Sequence, residues 1–431
     1  MIGDKGTKKI WVYNAGVDKR WQDSSFGVRK VNDLKEQLMF NRQGEIVLFL
    51  ANRNDIVFLA QEPDEEFVHD IEVLGFEKPS IYKIPDMDMP ISEYLLNNLD
   101  IMHGINHLKS YLYMPYILSE FDETICKQLN IPIYGSTAQT VKNINDKMNS
   151  KRIAEHLGLP VVKGYFSKNK NELMDAQKKL KEQGVLKFAI KEPFNSAGKG
   201  VYFIRDERQF NSFVRMMRFA NDEKFEVVIE EWIDNKKDIN YQIEICASGE
   251  VKLLSITEQI VDVTSYKGTI YPANITDDQE KTYKKYTEII GQELFRLGYR
   301  GLVGIDSMIK EDGEIIPVIE FNARLNQSTF YLPIMQKISK GNYHMLIRSY
   351  DIQTNLLLNY AGLKKILKEK GMLYSEEKKE GIIILNSACL SAYRDKKYHS
   401  RLFLGIVFEN GDQVKDKYET VDEFVKTLQV L

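Results

Sequence analysis

The feature that most constrains the fold is a strand-like segment in which polar and apolar residues alternate. Its polar members are Glu320, Asn322 and Arg324, and its apolar members include Ile319 and Phe321. Because successive side chains of a β-strand point to opposite faces, the three polar groups are predicted to share one face while the two apolar residues face the core. The alternative is an exposed polar face on an antiparallel pair, which an acid, an amide and an arginine in strict alternation disfavour.

The preceding apolar segment carries one acid, Asp306. If the two segments form an antiparallel hairpin with Asp306 opposite Glu320, the turn around residues 312–313 cannot be tight. A two-residue Asp-Gly turn would pair Asp306 with Ile319 and point the carboxylate to the other face. We therefore predict a three- or five-residue loop, or a G1-type bulge, in this hairpin.

These side chains predict a site for a divalent metal ion. Mg²⁺ usually takes one or two carboxylates together with nucleotide phosphates, so Asp306, Glu320 and Asn322 are the candidate ligands. A guanidinium beside them would neutralise charge on a transferring phosphoryl group, which is the role predicted for Arg324.

A lysine and a small-residue loop form a second candidate site. Lys191 ends an apolar segment and precedes the loop 195–200, which reads Asn-Ser-Ala-Gly-Lys-Gly. Glycines let backbone N–H groups approach phosphate oxygens, and the ammonium adds positive charge. The loop is neither a P-loop, because Lys199 is followed by Gly200, nor a protein-kinase loop, whose glycines precede the lysine. A plain β-turn is the alternative for this segment alone.

The length of 431 residues predicts two or three domains. In the first third, strands at 9–14 and 45–51 flank a helical pattern and predict a small open α/β sheet that ends near residue 135. Further strands are predicted at 188–192, 201–204, 226–233, 241–247 and 251–256, and helices around 148–157, 210–217 and 283–297. A long polar loop that contains Lys267 is predicted between the last of these strands and the last helix.

Composition and charge argue against several classes of function. The net charge of −3 gives no sequence-wide reason to expect nucleic acid or an anionic membrane as a partner. No apolar run approaches the length of a membrane span, and the N-terminus has no signal-peptide pattern. The three cysteines fit no metal spacing and predict reduced thiols, hence a soluble protein in the cytoplasm.

The order of these features resembles the ATP-grasp superfamily across residues 136–335. The resemblance is carried by the segments Asn145-Asp146-Lys147, Ala189-Ile190-Lys191, the loop 195–200, the hinge at 228–233, Gly304-Ile305-Asp306 and 319–324. The leading segment is similar to the pre-ATP-grasp domain of pheganomycin-type peptide ligases. The resemblance implies a pre-ATP-grasp α/β domain at 1–135 and the two-subdomain, α+β ATP-grasp fold at 136–335. It divides the latter into a lysine and loop subdomain at 136–230 and a metal-site subdomain at 231–335, with residues 336–431 packing on that core.

The resemblance also implies roles for individual residues. Lys147 and Lys191 would contact nucleotide phosphates, and the loop members Ser196, Ala197, Gly198, Lys199 and Gly200 would close over them. The hinge residues Glu230, Glu231, Trp232 and Ile233 would surround adenine. The ribose acid of the family is replaced here by Asn240, so either Asp238 or Asn240 is expected at the ribose. Metal ligands would be Asp306, Glu320 and Asn322, while Arg324 and Asn326 would hold an acyl phosphate and Lys267 a substrate carboxylate.

The function implied is an ATP-dependent carboxylate–amine ligase that releases ADP and phosphate, with ATP and Mg²⁺, or Mn²⁺ in its place. Its partners would be small-molecule carboxylates and amines, such as amino acids or peptides, and a homodimer is left open. A ligase that uses another nucleophile, an enzyme that stops at the phosphorylated product, and a non-catalytic ATP-binding module are the alternatives.

Overall fold

The computed structural model of the chain describes residues 6–21, 34–194, 200–217, 226–355, 357–394, 397–409 and 413–429. Its strands are β1 (Lys8–Val12), β2 (Ile56–Leu59), β3 (Ser80–Lys83), β4 (Tyr111–Pro115), β5 (Gly164–Ser167), β6 (Phe188–Lys191), β7 (Val201–Ile204), β8 (Val227–Glu231), β9 (Lys237–Ile245), β10 (Val251–Asp262), β11 (Ser265–Tyr271), β12 (Gly301–Ile309), β13 (Ile315–Asn322), β14 (His344–Thr354), β15 (Gly381–Ile384), β16 (Ala392–Arg394) and β17 (Lys397–Phe408). Its α-helices are α1 (Leu34–Arg42), α2 (Glu65–Val73), α3 (Ile91–Asn97), α4 (Asp100–His103), α5 (Glu120–Leu129), α6 (Ala138–Asn145), α7 (Lys147–His156), α8 (Lys170–Glu182), α9 (Glu207–Met216), α10 (Asp277–Arg296), α11 (Gln327–Ile338), α12 (Tyr360–Glu369) and α13 (Val414–Gln429). Short 3₁₀ helices cover Val17–Trp21, Gln43–Phe49 and Leu108–Ser110.

The first four strands form a parallel sheet in the order β3-β2-β1-β4. Parallel neighbours require crossover connections, and helical segments occupy the chain between these strands. The predicted small open α/β sheet is therefore confirmed.

One strand of that prediction is wrong. Residues 45–51 were expected to form the second strand, but Gln43–Phe49 is a 3₁₀ helix whose residues are all buried, and the second strand is Ile56–Leu59. A short buried apolar run has no periodicity that separates a strand from a buried helical turn. The segment also makes a long-range contact, because the Glu45 carboxylate accepts hydrogen bonds from the backbone N–H groups of Ser387 and Ala388, each at 2.7 Å.

The small antiparallel sheet has the order β5-β8-β6-β7. Helices α8 and α9 pack on it through a core that includes Leu173, Leu180, Phe210 and Phe213. This sheet holds Lys191 at the end of β6, where the strand gives way to the segment that leads into the loop 195–200.

The large sheet has nine strands among the described residues, and eight of them follow the order β13-β12-β9-β10-β11-β14-β17-β15, with β16 paired to β17. Fully buried Tyr241, Ile305 and Phe321 project from one face and join a core with Tyr283 and Ile290 of α10. Because side chains alternate along strands, the polar residues between them lie on the opposite face, where the candidate site is found.

The long polar loop expected after residue 256 is not present. Strand β10 continues to Asp262 and is followed at once by β11, with which it pairs. Lys267 therefore lies on a strand rather than in a loop, at a register irregularity where Ile260 pairs with Gly268 and Val261 with Tyr266. Most side chains of this hairpin are only partly buried, so its sequence lacked the apolar signal of a core strand.

The C-terminal part of the chain continues the large sheet, because β14 pairs with β11 along residues 345–348. Helix α13 lies against β14 and β17. The division at residues 135, 230 and 335 stays a prediction, although the sheet itself extends across residue 335.

Within the described ranges, none of the helices combines the length and the apolar character needed to cross a lipid bilayer. The three cysteines are free thiols, and Cys126 and Cys389 are buried.

The docking of α13 generates a prediction about stability. The Arg348 guanidinium lies 3.6 Å from the ring centroid of Tyr418 and forms an ion pair with Asp422, and its side chain is 10% exposed. We expect Arg348→Met to lower the free energy of local unfolding of α13 by about 1 to 3 kcal/mol, because a partly buried charged hydrogen bond and a cation–π contact are lost. Hydrogen exchange of the α13 amides measures this quantity.

The matched control is Lys417→Met on the same helix. Lys417 lies 3.5 Å from Glu380, and both side chains are more than a third exposed, so its loss should change the same free energy by less than about 1 kcal/mol. Equal effects of the two substitutions would contradict the proposed importance of Arg348.

Candidate active site

The strands that carry the predicted metal ligands form the antiparallel hairpin β12–β13, with Asp306 directly opposite Glu320. The backbone N–H of Lys310 donates to the carbonyl of Glu314 across a three-residue loop, and the last loop residue, Gly313, has a φ of 88°. A left-handed glycine at this place is typical of a three-residue hairpin loop with a G1 bulge. The prediction that this hairpin has no tight two-residue turn is confirmed.

A second irregularity lies between Asp306 and the loop. Asp306 and Met308 are two residues apart, but their partners on β13 are four residues apart, so β13 contains a two-residue bulge. Pro317 lies in this bulge, where its missing N–H removes no ladder hydrogen bond. Its carbonyl accepts a hydrogen bond of 2.9 Å from the buried Tyr241 hydroxyl. An even number of extra residues changes the register without changing which face Asp306 occupies.

Because of this bulge, one prediction about the core is wrong. Phe321 is fully buried as predicted, but Val318 rather than Ile319 contributes to the core beneath the sheet. Ile319 is only partly buried and lines a cleft on the other side. Side chains do not alternate regularly within the bulge, so Val318 and Ile319 lie on the faces opposite to those that a regular strand would give them.

The Asp306 carboxylate accepts hydrogen bonds from three side-chain amides. Asn240 Nδ2 donates to Oδ1 at 2.8 Å, Gln259 Nε2 donates to Oδ1 at 3.2 Å, and Asn322 Nδ2 donates to Oδ2 at 3.0 Å. Burial, and then the neighbouring Glu320 carboxylate, raise the pKa of Asp306 to about 6. Two carboxylates held close together against repulsion, with the Asn322 amide beside them, are a set of side chains that fits Mg²⁺.

Glu320 has a cationic neighbour, Lys147, whose Nζ lies 3.0 Å from Oε1. Lys147 is the first residue of α7, and its side chain is 3% exposed. The Asp146 side chain caps the helix by accepting a hydrogen bond from the backbone N–H of Met148 at 2.8 Å. The structure thus brings the first predicted lysine to the predicted metal ligand.

Side chains from α6 and α7 satisfy the open edge of β13. The backbone N–H of Phe321 donates to Ser150 Oγ at 3.1 Å, and that of Ala323 donates to Asn145 Oδ1 at 3.1 Å. Buried backbone donors require such partners, and β13 is the terminal strand of the sheet. These contacts fix the start of α7, and with it Lys147, against β13, the strand of the predicted metal ligands.

The second predicted lysine belongs to a buried charge cluster. Glu230 Oε2 lies 2.5 Å from Lys191 Nζ, and Glu230 Oε1 lies 3.1 Å from Lys151 Nζ. Burial alone would raise the pKa of Glu230, but the two ammonium groups outweigh it and hold that pKa below its usual value. Lys151 also donates to the carbonyl of Val162 at 2.6 Å.

A narrow cleft joins these elements. Its polar lining consists of Lys147, Lys151, Lys191 and Glu230, and its apolar lining consists of Val161, Val162, Val228, Val318 and Ile319. Lys147 faces this cleft and also contacts Glu320, so the lysine cleft and the metal ligands are parts of one site. An apolar lining beside three ammonium groups is the chemistry that suits an aromatic base linked to phosphates.

Arg324 lies at the other end of the site. Its Nη2 donates to Asn322 Oδ1 at 2.8 Å, and its Nη1 donates to Asn326 Oδ1 at 2.9 Å and to the Tyr116 hydroxyl at 3.1 Å. The contact with Asn322 confirms that the acid, the amide and the arginine share a side. Asn326 also precedes α11 and caps it, so the guanidinium is oriented by neighbours on both sides.

The remaining predicted nucleotide residues fall into two groups. Ser196, Ala197, Gly198 and Lys199 lie outside the described residues, whereas the carbonyl of Gly200 accepts a hydrogen bond from the backbone N–H of Glu192 at 2.9 Å. Glu230 and Glu231 end β8, and Trp232 and Ile233 follow it. The Trp232 ring lies 4.3 Å from that of Phe203, and Ile233 packs against the side of the cleft formed by Val162 and Met308.

The two candidates for the ribose contact are both on β9. Asn240 donates to Asp306, whereas Asp238 forms an ion pair with Lys236 and is 24% exposed. Lys267 is partly buried on β11, next to Tyr266, whose pKa is raised to about 12 by burial, with a smaller contribution from the Asp306 carboxylate. This strand therefore reaches the metal side of the site.

Sequence reasoning missed several members of the site. Lys151 could have been found, because it lies four residues after Lys147 on the same helix and therefore on the same face. Gln259, Ser150 and Asn145 carried no such signal, because their roles depend on contacts between elements distant in sequence. Among the described residues, no group of three or more His, Cys, Asp or Glu side chains is arranged as a metal site.

Comparison with known proteins agrees with this geometry. A family model described as L-aspartate–L-methionine ligase, ATP grasp, matches residues 165–322. The [butirosin acyl-carrier protein]–L-glutamate ligase of Niallia circulans is 30% identical over 332 residues, which cover 77% of this chain and 75% of that protein.

Solved structures show the same fold. An ADP complex of N5-carboxyaminoimidazole ribonucleotide synthetase aligns with a TM-score of 0.57 and 14% identity, covering 89% of this chain and 95% of that one. The biotin carboxylase domain of 2-oxoglutarate carboxylase from Hydrogenobacter thermophilus, in complex with MgADP, ADP and bicarbonate, aligns with a TM-score of 0.54 and 14% identity, covering 96% of this chain and 89% of that one.

A two-lysine cleft joined to a hairpin of acids and an arginine, on this fold, defines an ATP-grasp protein. The similarity to the glutamate ligase extends over three quarters of both chains, so the chain belongs to the ATP-grasp ligases. It is an ATP-dependent enzyme that forms carbon–nitrogen bonds and produces ADP.

The docking of α7 on β13 generates a prediction. Ser150→Ala leaves the buried N–H of Phe321 without its acceptor, so we expect a loss of about 1 to 3 kcal/mol in the local stability of β13. Hydrogen exchange of the 318–323 amides, together with the melting temperature, measures the effect.

Ser255→Ala is the matched control. Ser255 is also buried, but its hydroxyl has no hydrogen-bond partner within the described part of the chain. Removing it should leave stability unchanged or slightly higher. If the two serines proved equally dispensable, the docking role of Ser150 would be refuted.

Proposed function

We propose that the cleft binds ATP and that the enzyme uses it to activate a carboxylate as an acyl phosphate, which then reacts with an amine. The single observation that carries the assignment of roles is the contact of 3.0 Å between Lys147 and Glu320. It joins the part of the site suited to phosphates to the part suited to a metal ion.

In this proposal the base of the nucleotide occupies the apolar slot between Val162, Val228 and Ile319. The hinge residues Glu230, Glu231, Trp232 and Ile233 lie at its rim, with backbone groups of Glu231 and Ile233 directed to adenine. Lys147 and Lys191 contact the phosphates, and Ser196, Ala197, Gly198, Lys199 and Gly200 cover them. Of the two ribose candidates, Asp238 is favoured because the Asn240 amide already donates to Asp306.

Asp306, Glu320 and Asn322 would hold Mg²⁺, which would neutralise phosphate charge when bound. Mn²⁺ can take its place, because both ions accept octahedral oxygen coordination. The chain itself supplies fixed positive charge on the opposite side of the transferring group, through Arg324 and the lysines.

The acyl acceptor and donor are proposed from the site and the relatives together. Arg324 and Asn326 would hold the activated carboxylate, and Lys267, on the strand that reaches the metal side, would hold a further substrate carboxylate. Amino acids or short peptides fit these charges, and L-glutamate is the first candidate because the Niallia circulans relative is named for it. That name supports a second candidate, in which a carrier protein presents one of the substrates.

We also infer a cytoplasmic setting. The three cysteines are unpaired and two of them are buried, which supports a reducing compartment. A homodimer stays open.

The reaction itself can be tested before the substrates are known. We expect ADP and phosphate to be released when the enzyme is supplied with ATP, Mg²⁺, hydroxylamine and a panel of amino acids and peptides, and the activated acid to be trapped as a hydroxamate. The control is Glu320→Gln, which keeps the shape of the side chain but removes a metal-binding charge, and which should reduce ADP release at least a hundredfold.

The outcomes separate the alternatives. Hydroxamate with ADP supports the ligase, a stable phosphorylated product without hydroxamate identifies a kinase, and nucleotide binding without turnover on any substrate identifies a binding module. Formation of AMP would contradict the proposal.

The lysine cleft gives an independent prediction about nucleotide affinity. Lys191→Met should weaken ADP binding about tenfold or more, because one ammonium near the phosphates is lost. The fold should survive, since Glu230 keeps its contact of 3.1 Å with Lys151. Isothermal titration calorimetry with ADP measures the affinity.

Lys181→Met is the control, because Lys181 is an exposed lysine of the same small subdomain, paired with Glu207 at 3.0 Å. It should bind ADP as the wild type does. Unchanged affinity in Lys191→Met would remove Lys191 from the nucleotide site.

A further inference from the structure

Three side-chain amides surround Asp306, and only one of them belongs to the predicted metal site. Asn322 was expected there from its place on β13, but Asn240 comes from β9 and Gln259 from β10. Strand pairing places Asn240, Asp306 and Glu320 in one row across three adjacent strands. Gln259 reaches the same carboxylate from the fourth strand.

The two oxygens of Asp306 accept different numbers of hydrogen bonds. Oδ1 accepts from Asn240 at 2.8 Å and from Gln259 at 3.2 Å, whereas Oδ2 accepts from Asn322 at 3.0 Å. A carboxylate offers about four lone-pair directions, two on each oxygen. Asn240 and Gln259 therefore use both directions of Oδ1, whereas Asn322 leaves one direction of Oδ2 available to a cation. The carboxylate is thereby oriented by donors that add no charge.

The amide oxygen of Asn240 provides a second observation. Its side chain is 3% exposed, and its Oδ1 has no hydrogen-bond partner among the residues that the structure describes. A buried amide oxygen without a donor is costly and calls for a partner. A water molecule bound to a metal ion next to Asp306 would supply an O–H at this place.

We propose that Asn240 and Gln259 are positioning residues that orient the Asp306 carboxylate for a divalent cation, and that Asn240 also accepts a hydrogen bond from a cation-bound water. The inference rests on the metal site of the proposed function and deepens it. Outer-sphere partners of metal ligands typically change metal affinity by about 10- to 100-fold when they are removed.

This role differs from a ribose contact in what it controls. A residue that contacts ribose changes nucleotide affinity whether or not a metal ion is present. A residue that orients Asp306 changes metal affinity and leaves metal-free nucleotide binding intact. Asp238 lies two residues from Asn240 on the same face of β9 and pairs with Lys236, which makes it a suitable comparison.

The experiment measures two affinities for each variant. Electron paramagnetic resonance gives the dissociation constant of Mn²⁺ for the enzyme saturated with ADP, and calorimetry in EDTA gives that of ADP alone. Asn240→Leu and Gln259→Met, which keep side-chain size, should raise the Mn²⁺ constant about tenfold and change the ADP constant less than twofold. Asp238→Asn should leave the Mn²⁺ constant unchanged.

The possible failures are distinguishable. Unchanged Mn²⁺ affinity in both variants overturns the inference, as does a loss of ADP affinity in EDTA for Asn240→Leu. If Asn240→Leu fails to fold, Gln259→Met, at a partly buried position, decides the question by itself. If the wild-type complex has no Mn²⁺ site that Glu320→Gln removes, the proposed metal site fails and this inference fails with it.

Discussion

The structure of the site depends on keeping two carboxylates, Asp306 and Glu320, opposite each other on adjacent strands. Like charges placed this close destabilise the fold unless other groups compensate them. The two acids have different kinds of neighbours. Glu320 has the ammonium of Lys147 as a direct partner, whereas the side chains that donate to Asp306 within the described residues are neutral amides. The pair therefore retains negative charge, which is the condition for attracting a divalent cation.

Strand β13 of this hairpin is also the edge of the large sheet. The need to satisfy its free backbone N–H groups links the position of Lys147 to that of Glu320. An exposed edge would present unpaired N–H groups, but Ser150 and Asn145 accept from those of Phe321 and Ala323. Because Ser150 and Lys147 lie on the same helix, satisfying the edge also places the ammonium at Glu320. Backbone hydrogen bonding, rather than charge attraction alone, sets the distance between the phosphate side and the metal side.

Much of this arrangement could be predicted from the sequence, because strand alternation and turn length are local properties. The positions of Glu320, Asn322 and Arg324 and the form of the hairpin follow from them. The two-residue bulge at Pro317 could not be predicted in this way, and because of it Ile319 lines the cleft instead of the core. The helical form of residues 43–49 and the strand at Lys267 were also missed. The first is a short buried apolar run without periodicity, and the second belongs to a hairpin whose side chains are mostly only partly buried.

The buried lysines show how the site can be ready for a polyanion without being unstable in its absence. Lys191 shares Glu230 with Lys151, and Lys147 contacts Glu320, so these ammonium groups lie beside protein carboxylates. An unpaired buried charge would cost several kcal/mol. When phosphates enter, Lys191 can exchange one anionic partner for another while Lys151 keeps Glu230 compensated. In the proposed function, these ion pairs hold the ammonium groups where the phosphates would bind, so that their buried charge is already compensated before the ligand arrives.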